Sequence, residues 1–207
     1  MSDPATIKFD SFSKLPTWLL PTSSQVMAYA GNYDKSDLEG IRFDWNSFKQ
    51  SIGQNASGDI AFDKEKVVTI DRQDRTVQTM VDQIVSFLAD ALSYPMSQHD
   101  IKALNKTIQT TFYNLKNKSS YGFLNFSSTT DHHNSSWTYN INFAFPNPDI
   151  PNYFNSLIST VILEADITDV SEWWGLEFNT TKSFSAKIHS IELVVKKGFA
   201  NPDARPK

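Results

Sequence analysis

Glu164 and Asp166 stand two residues apart in a stretch whose side chains alternate in character. A strand would put both carboxylates on one face, the spacing of a pair sharing general acid and base work. Asp131, His132 and His133 offer a carboxylate and two imidazoles to a metal, and His189 is a further candidate base. Nothing else in the chain converges on Glu164 and Asp166, so a solvated or intersubunit strand face is the plainer reading. The two histidines lie inside SSTTDHHNSS, a polar stretch that reads as a hairpin loop, and His189 reads as a strand-surface or bulge residue. No phosphate-cradling glycine loop, nucleophile elbow, zinc helix or EF-hand loop occurs, and with 7 glycines backbone cradles are few. We therefore expect no catalytic residue, no metal and no cofactor. Trp173-Trp174-Gly175 has two readings, a sugar-stacking or bilayer-interface role, or a pair straddling a sheet with one ring in the core.

Bulk composition narrows the class. The chain has 207 residues, 40% hydrophobic and 20% charged, enough for one domain with a real core. It has no cysteine, which excludes disulfides and thiol chemistry. The net charge of −4 argues against a nucleic-acid partner, whose footprint would be basic. From Phe178 onward, however, six bases face two acids, a local +4, leaving −8 for the rest. Such an end favours anionic surfaces. No run approaches the ~18 apolar residues of a membrane-crossing helix. MSDPATIKFDSFSKLPTWLL lacks the apolar centre of a secretory signal, so we expect a soluble protein secreted or released without one.

Two kinds of element would carry these residues. Thr22 to Tyr33, with Val26, Met27 and Ala30 inward, and Phe43 to Ile52, with Trp45, Phe48 and Ile52 on one face, read as short helices. Ile60 to Asp63 and Val67 to Asp71 read as short strands. Val77, Met80, Val81, Ile84, Leu88, Ala91 and Leu92 define a clear amphipathic helix stopped by Pro95. Ser97 and Asp100 then cap a second helix with Ile101, Leu104, Ile108, Phe112 and Leu115 on one side, completing a helical hairpin.

From Tyr121 the period changes to 2. Strands are expected at Gly122 to Ser127, Trp137 to Phe145, Phe154 to Thr168 and Lys182 to Lys196. In the second, Trp137, Tyr139, Ile141, Phe143 and Phe145 share one face, and Thr138, Asn140 and Asn142 lie on the other, where changes should disturb the fold least. In the third, Leu157, Ser159, Val161, Leu163, Ala165 and Ile167 share a parity. In the fourth, Phe184, Ala186 and Ile188 hold one parity and Ile191, Leu193 and Val195 the other, and a bulge at His189-Ser190 would bring all six to one face. Strands of 12 to 15 residues exceed the common length of ~5–6 and match the ~9–11 that span a bilayer. Helices first and antiparallel strands second give an α+β or layered α/β plan.

The words Leu15-Pro16 through Met27, Phe43-Asp44-Trp45, Met80-Val81-Asp82, Ser120-Tyr121-Gly122-Phe123-Leu124, Asn134-Ser135-Ser136-Trp137, Glu172-Trp173-Trp174-Gly175-Leu176 and Ile191 through Phe199 resemble the volvatoxin-like pore-forming haemolysins of fungi, in one register from about Phe12 to Pro202. Thr111-Phe112-Tyr113-Asn114-Leu115 and Trp137-Thr138-Tyr139-Asn140 are similar to the insecticidal Cyt delta-endotoxins of bacteria. The resemblance implies a single Cyt-like domain over 1–207, three-layered, with an antiparallel sheet covered by helical hairpins. It implies a helix-rich part (22–118), a strand-rich part (119–199) and flexible tails (1–11 and 201–207).

It further implies a non-enzymatic defence cytolysin that binds lipid membranes as a soluble monomer, oligomerises and permeabilises them. The membrane-entering strands would carry Trp137, Tyr139, Ile141, Phe143, Phe145, Leu157, Val161, Leu163, Phe184, Ile188, Leu193 and Val195. Val77, Met80, Val81, Ile84, Leu88, Leu104, Ile108 and Phe112 would form the helical cover and oligomerisation surface. Lys182, Lys196 and Lys197 match the family's bases for anionic or heparin-like sulfated surfaces, Lys187 being a local addition, and Trp173 and Trp174 would sit at the interface. Two other readings stand beside this one, a lectin-like module using the tryptophans and Asn-rich loops, and a non-lytic regulatory member of the same family.

Overall fold

The computed structural model describes residues 9–37, 40–54, 57–113, 122–129 and 132–202. In chain order these form β1 (Asp10–Ser13), α1 (Leu20–Gly31), β2 (Asp34–Asp37), β3 (Gly40–Phe43), α2 (Trp45–Gly53), β4 (Ile60–Thr76), α3 (Val77–Ala91), α4 (Gln98–Tyr113), β5 (Gly122–Thr129), β6 (His132–Pro146), β7 (Tyr153–Ala165), α5 (Val170–Trp174) and β8 (Thr181–Lys196). The α+β class is as expected, a largely antiparallel sheet flanked by helices. Strand order is β1-β6-β7-β8-β4, with β5 also on β6, and β2–β3 form a separate ribbon. One pairing departs from the antiparallel rule. β1 runs parallel to β6, Asp10 opposite Ile141 and Ser13 opposite Ala144.

Contacts divide the chain into two compact units. The first comprises residues 1–66, 140–159 and 190–207, the second 67–139 and 160–189. In the first, Val26, Tyr29 and Ala30 of α1 and Phe48 and Ile52 of α2 pack with Ala144, Phe154, Ile158, Ile191, Leu193 and Val195 of the strands. Aromatic rings fill much of this core, Phe48 meeting Tyr29, Tyr33 and Phe43 at centroid distances of 5.9, 5.2 and 5.2 Å. Asp44 starts α2 by accepting the Ser47 N–H at 3.1 Å, which satisfies one of the orphan donors of the first turn.

In the second unit α3 keeps Val77, Met80, Val81, Ile84, Val85, Leu88 and Ala91 buried. Thr76 caps it, accepting the Thr79 N–H. Ser97 and Asp100 form the reciprocal cap read from the sequence: the Asp100 N–H donates to Ser97 Oγ at 3.2 Å, and the Ser97 N–H and hydroxyl donate to Asp100. Asn105 Nδ2 donates to Asp82 at 2.6 Å between the two helices. Leu104, Ile108 and Phe112 are buried, and the Phe112 ring meets Trp137 edge-on at 4.9 Å. Leu115 lies outside the described residues.

Several expectations are corrected. The two short strands at Ile60 and Val67 are one strand of 17 residues, mostly exposed. The sequence shows only two pieces of it because a strand at the sheet's edge with little burial need not alternate. The SSTTDHHNSS loop is largely strand, with Thr129 opposite His132. The tails shorten too, since residues 10 and 11 pair with β6 and the buried Asn201 donates its N–H to Gln25 Oε1 at 3.1 Å.

No bulge interrupts β8. The Ser185 hydroxyl donates to Glu164 at 3.1 Å, and the hydroxyls of Ser190 and Ser159 bond at 2.8 Å. Five residues forward on β8 thus correspond to five back on β7, so the antiparallel register is unbroken. With strict alternation, Ile191, Leu193 and Val195 face the opposite side from Phe184, Ala186 and Ile188.

The polar parity of β6 is also not the tolerant face that its composition implies. Thr138, Asn140 and Asn142 are buried. In the first unit Asn142 Nδ2 donates to Ser23 Oγ of α1 at 3.5 Å, and its Oδ1 accepts the Ser156 hydroxyl at 2.6 Å. A sheet face under a helix must satisfy its polar groups internally. Asn142→Ala strands both hydroxyls and should lower unfolding free energy by about 1–3 kcal/mol, measurable as a shift of the urea midpoint at unchanged slope.

Candidate functional site

All twelve strand residues expected to enter a membrane are buried, and so are the eight residues of the helical cover. Register sorts the twelve. The β7–β8 correspondence above and the Ser156–Asn142 bond between β6 and β7 put ten of them on one face: Trp137, Tyr139, Ile141, Phe143 and Phe145 of β6, Leu157, Val161 and Leu163 of β7, and Phe184 and Ile188 of β8. Leu193 and Val195 are on the other, in the core beneath α1 and α2. The physical reason is that their end of the strand is covered on a different side.

The two units therefore treat the strands differently. In the second unit the face of Val161, Leu163, Ala165, Phe184, Ala186 and Ile188 is wholly buried, and the opposite face carries exposed Glu164, Asp166 and Lys187 and half-buried Ser183, Ser185 and His189. In the first, Phe154, Ile158, Ile191, Leu193 and Val195 fill the apolar core, while Asn155, Ser159, Ser190 and Glu192 bond to one another on the other face. Glu192 has no exposed surface. Its carboxylate accepts Asn155 Nδ2 at 3.1 Å and pairs with the partly exposed Lys64 Nζ of β4 at 3.3 Å, an ion pair with a buried carboxylate that sequence reading missed.

The remaining candidates scatter. Lys182 Nζ donates to Glu172 Oε2 at 2.5 Å, which, with the Thr168 bonds, holds the Glu172 carboxyl below its ordinary range. Lys196 lies 3.9 Å from Asp59, Lys197 stacks over the Trp18 ring at 4.9 Å, and Lys187 is exposed on β8. Lys182 and Lys187 belong to the second unit, Lys196 and Lys197 to the first. Trp173 is not at the surface: it is fully buried and its indole N–H donates to Ser135 Oγ at 2.9 Å, as a ring in the core must. Trp174 is half-buried. The exposed tryptophan is Trp18, framed by prolines in LPTWLLP, where no periodicity assigned it a role.

Glu164 and Asp166 are both exposed on β7, and among the described residues no group of three or more His, Asp or Glu could hold a metal. The side chains of Asp131, His132 and His133 lie outside the described residues. A concavity of about 290 Å³ in the first unit is lined by Lys35, Arg42, Phe43, Asp44, Trp45 and Asn46, none of them a residue singled out for function. Among the described residues no helix is long and apolar enough to cross a membrane, which leaves strands unaddressed.

One titratable group stands apart. Burial pushes the Asp34 carboxyl of β2 up to about 7, and the bond from Asn140 Nδ2 at 3.3 Å offsets only part of that. Its Oδ2 is buried with no hydrogen-bond partner. Nearby Asp44 is the reverse case, held well below its usual range by Lys35 and Ser47.

Comparison with known proteins follows this geometry. Residues 28–197 match the sequence model of a family described as Bacillus thuringiensis toxin. Among solved structures, one titled delta-endotoxin superposes with a TM-score of 0.75 at 17% identity, covering 97% of this chain and 87% of the other. The activated Cyt2Ba monomer from Bacillus thuringiensis subsp. israelensis superposes with a TM-score of 0.73 at 16% identity, covering 91% of this chain and 98% of the other. At these identities the likeness establishes the fold. No curated sequence matches the chain.

Asp34 gives the site a pH signature. Its folded-state value lies above that of an unfolded aspartate, so the folded protein favours the neutral acid, and stability should fall as pH rises from about 4 to about 7 and then level off. Asp34→Asn should remove that fall. Urea unfolding at pH 5 and pH 8 checks it: a pH 5 advantage that persists undiminished in the variant would place the titration elsewhere.

Proposed function

Starting from the fact that this chain belongs to the Bacillus thuringiensis toxin family, whose cytolytic toxins act on membranes and are not enzymes, we propose that it permeabilises lipid bilayers by exposing and assembling its long strands. The observation that carries this reading is the second unit's division of faces. There the strands are apolar on the covered side and polar on the open side, and a spanning strand needs one face for lipid and the other for water. Length agrees on β8, where Thr181 to Ser190 supplies ten residues against the roughly 9–11 of a tilted crossing, while β7 supplies the seven from Ser159 to Ala165.

The cover can leave at modest cost. α3 and α4 bury one apolar seam each, so on moving to the headgroup layer they exchange one apolar partner for another. The hairpin can travel as one piece, because Asp82, Asn105 and Gln109 hydrogen-bond across and along it. Uncovered strand edges have no water partners in lipid, so insertion favours pairing between copies, which is the physical reason for oligomerisation. Two helix faces and two strand faces then find lipid or one another.

The first unit suits a different part in the process. Leu193 and Val195 lie on the opposite side from the other apolar residues, and Glu192 with Lys64 would put a charge pair among lipid tails. In our reading the crossing therefore stops near Ser159 and Ser190, and the α1–α2 unit stays folded outside the hydrocarbon.

An engineered disulfide between α4 and β6, at a pair whose Cβ atoms lie within about 4.5 Å and in a chain with no other cysteine, should tie the cover to the sheet. Dye release from lipid vesicles should drop at least tenfold when the bond is oxidised and return on reduction, with vesicle binding retained. Equal leakage in both redox states would sink the mechanism.

A further inference from the structure

Three of the largest exposed apolar side chains converge on one end of the first unit, a place that the strand mechanism does not use. Trp18 is 48% exposed, Leu20 41% and Ile150 45%. Their proximity is fixed by hydrogen bonds. The Lys197 N–H donates to the Asn152 carbonyl at 2.7 Å, joining the end of β8 to the β6–β7 turn that carries Ile150. The Gly198 N–H donates to Thr22 Oγ1 at 3.2 Å, joining the same segment to the start of α1 beside Trp18 and Leu20.

The turns are built for this meeting. Asn152 and Gly198 have φ of 67° and 91°, in the left-handed region, where asparagine is tolerated and glycine is favoured. A Cβ at Gly198 would meet no atom within 4 Å, so its glycine is required by backbone angle and not by crowding. The result is that Lys197 turns back and lays its ammonium 4.9 Å above the Trp18 ring.

We propose that this end is the surface by which the protein first docks on the phosphate plane of a phospholipid bilayer, an inference that rests on the membrane reading above and names where contact begins. An indole with a lysine above it fits the boundary between acyl chains and headgroups. The ring and its aliphatic neighbours enter the apolar edge, and the ammonium reaches a lipid phosphate. Charge complementarity favours phospholipid over a strongly anionic glycan. Lys196 and Lys197 are accompanied by Asp59, 3.9 Å from Lys196, and by exposed Asp149 in the adjoining turn, so the surface is close to neutral and relies on its apolar residues. Docking should then need phosphate but no net negative charge.

Vesicle flotation of the full chain with pure phosphatidylcholine, with phosphatidylcholine containing phosphatidylserine, and retention on immobilised heparin decide the matter. The parent should float with pure phosphatidylcholine, and Trp18→Ala should bind it about tenfold or more weakly, the order expected from withdrawing a large aromatic from an apolar contact. Ile150→Asp, in an exposed turn, should show the same loss and serves if Trp18→Ala fails to fold. Circular dichroism of both variants should match the parent. Full binding by both folded variants overturns the docking surface and leaves the strand mechanism standing. Binding that appears only with phosphatidylserine and vanishes in salt, or heparin retention lost with these variants while flotation persists, assigns the surface to another ligand. A parent that neither floats nor releases dye overturns both readings.

Discussion

Alternation along a β-strand permits no negotiation: a residue and its second neighbour share a face, and a shift of one residue exchanges every side chain. In β7 and β8 the register is unbroken, yet the apolar residues change face partway along both strands. That single constraint orders the molecule. Because the side chains cannot turn round, each helix can cover only the parity it packs on: in the first unit α1 and α2 lie with Ile158, Ile191 and Leu193, and in the second α4 meets Trp137. The polar residues that result from the exchange are then buried where they fall, and the bonds of Ser159 with Ser190, of Asn155 with Glu192 and of Ser156 with Asn142 are the consequence.

The same constraint separates what is stable from what is able to move. In the first unit both faces of the strands carry specific hydrogen bonds or interlocked rings, and an ion pair whose Glu192 end is sealed from water, all of which lose their partners on displacement. In the second, the covered face of β7 and β8 is apolar, and most of their open face is exposed or half-buried. Hydrophobic contact is non-directional, so it can be exchanged for lipid with little penalty, whereas a buried hydrogen-bond network cannot. A soluble form and a membrane form can be close in free energy only in a part built the second way. Asp34, with one buried, unpartnered carboxylate oxygen beside Asn140, adds a dependence on pH within the first unit, its ionisation opposing the fold.

Much of the architecture was legible in the residues. The seven-residue seam of α3, the Ser97–Asp100 cap and the strict alternation of β6 are local patterns with one structural solution each, and each element forms where its pattern lies. β4 was legible only as two short pieces, since an edge strand with mostly wet side chains has little pattern to show, and β1 was not legible, because four residues that pair with a distant strand carry no local signal. Of the functional candidates, the strand and helix residues are buried as their periodicity requires. The bulge at His189-Ser190 was an economical way to place six apolar residues on one side, and it failed because a second helical layer made the other side available. Of the two readings that the Trp173-Trp174 pair offered, Trp173 takes the ring in the core, and the isolated Trp18 between prolines, to which no periodicity assigned a role, is at the surface.

Composition, period and spacing determined by themselves that this chain builds helices with single apolar seams and strands of spanning length. These are properties of residues close in sequence, set by backbone geometry and side-chain type. Which face each strand end would bury, where Glu192 would find Lys64, and that Trp18 would meet Lys197 across the chain were decided only by tertiary structure. The reason is that period-2 alternation states how side chains are divided and not which half is covered. The choice belongs to whichever helix packs there, and helices distant in sequence supply it.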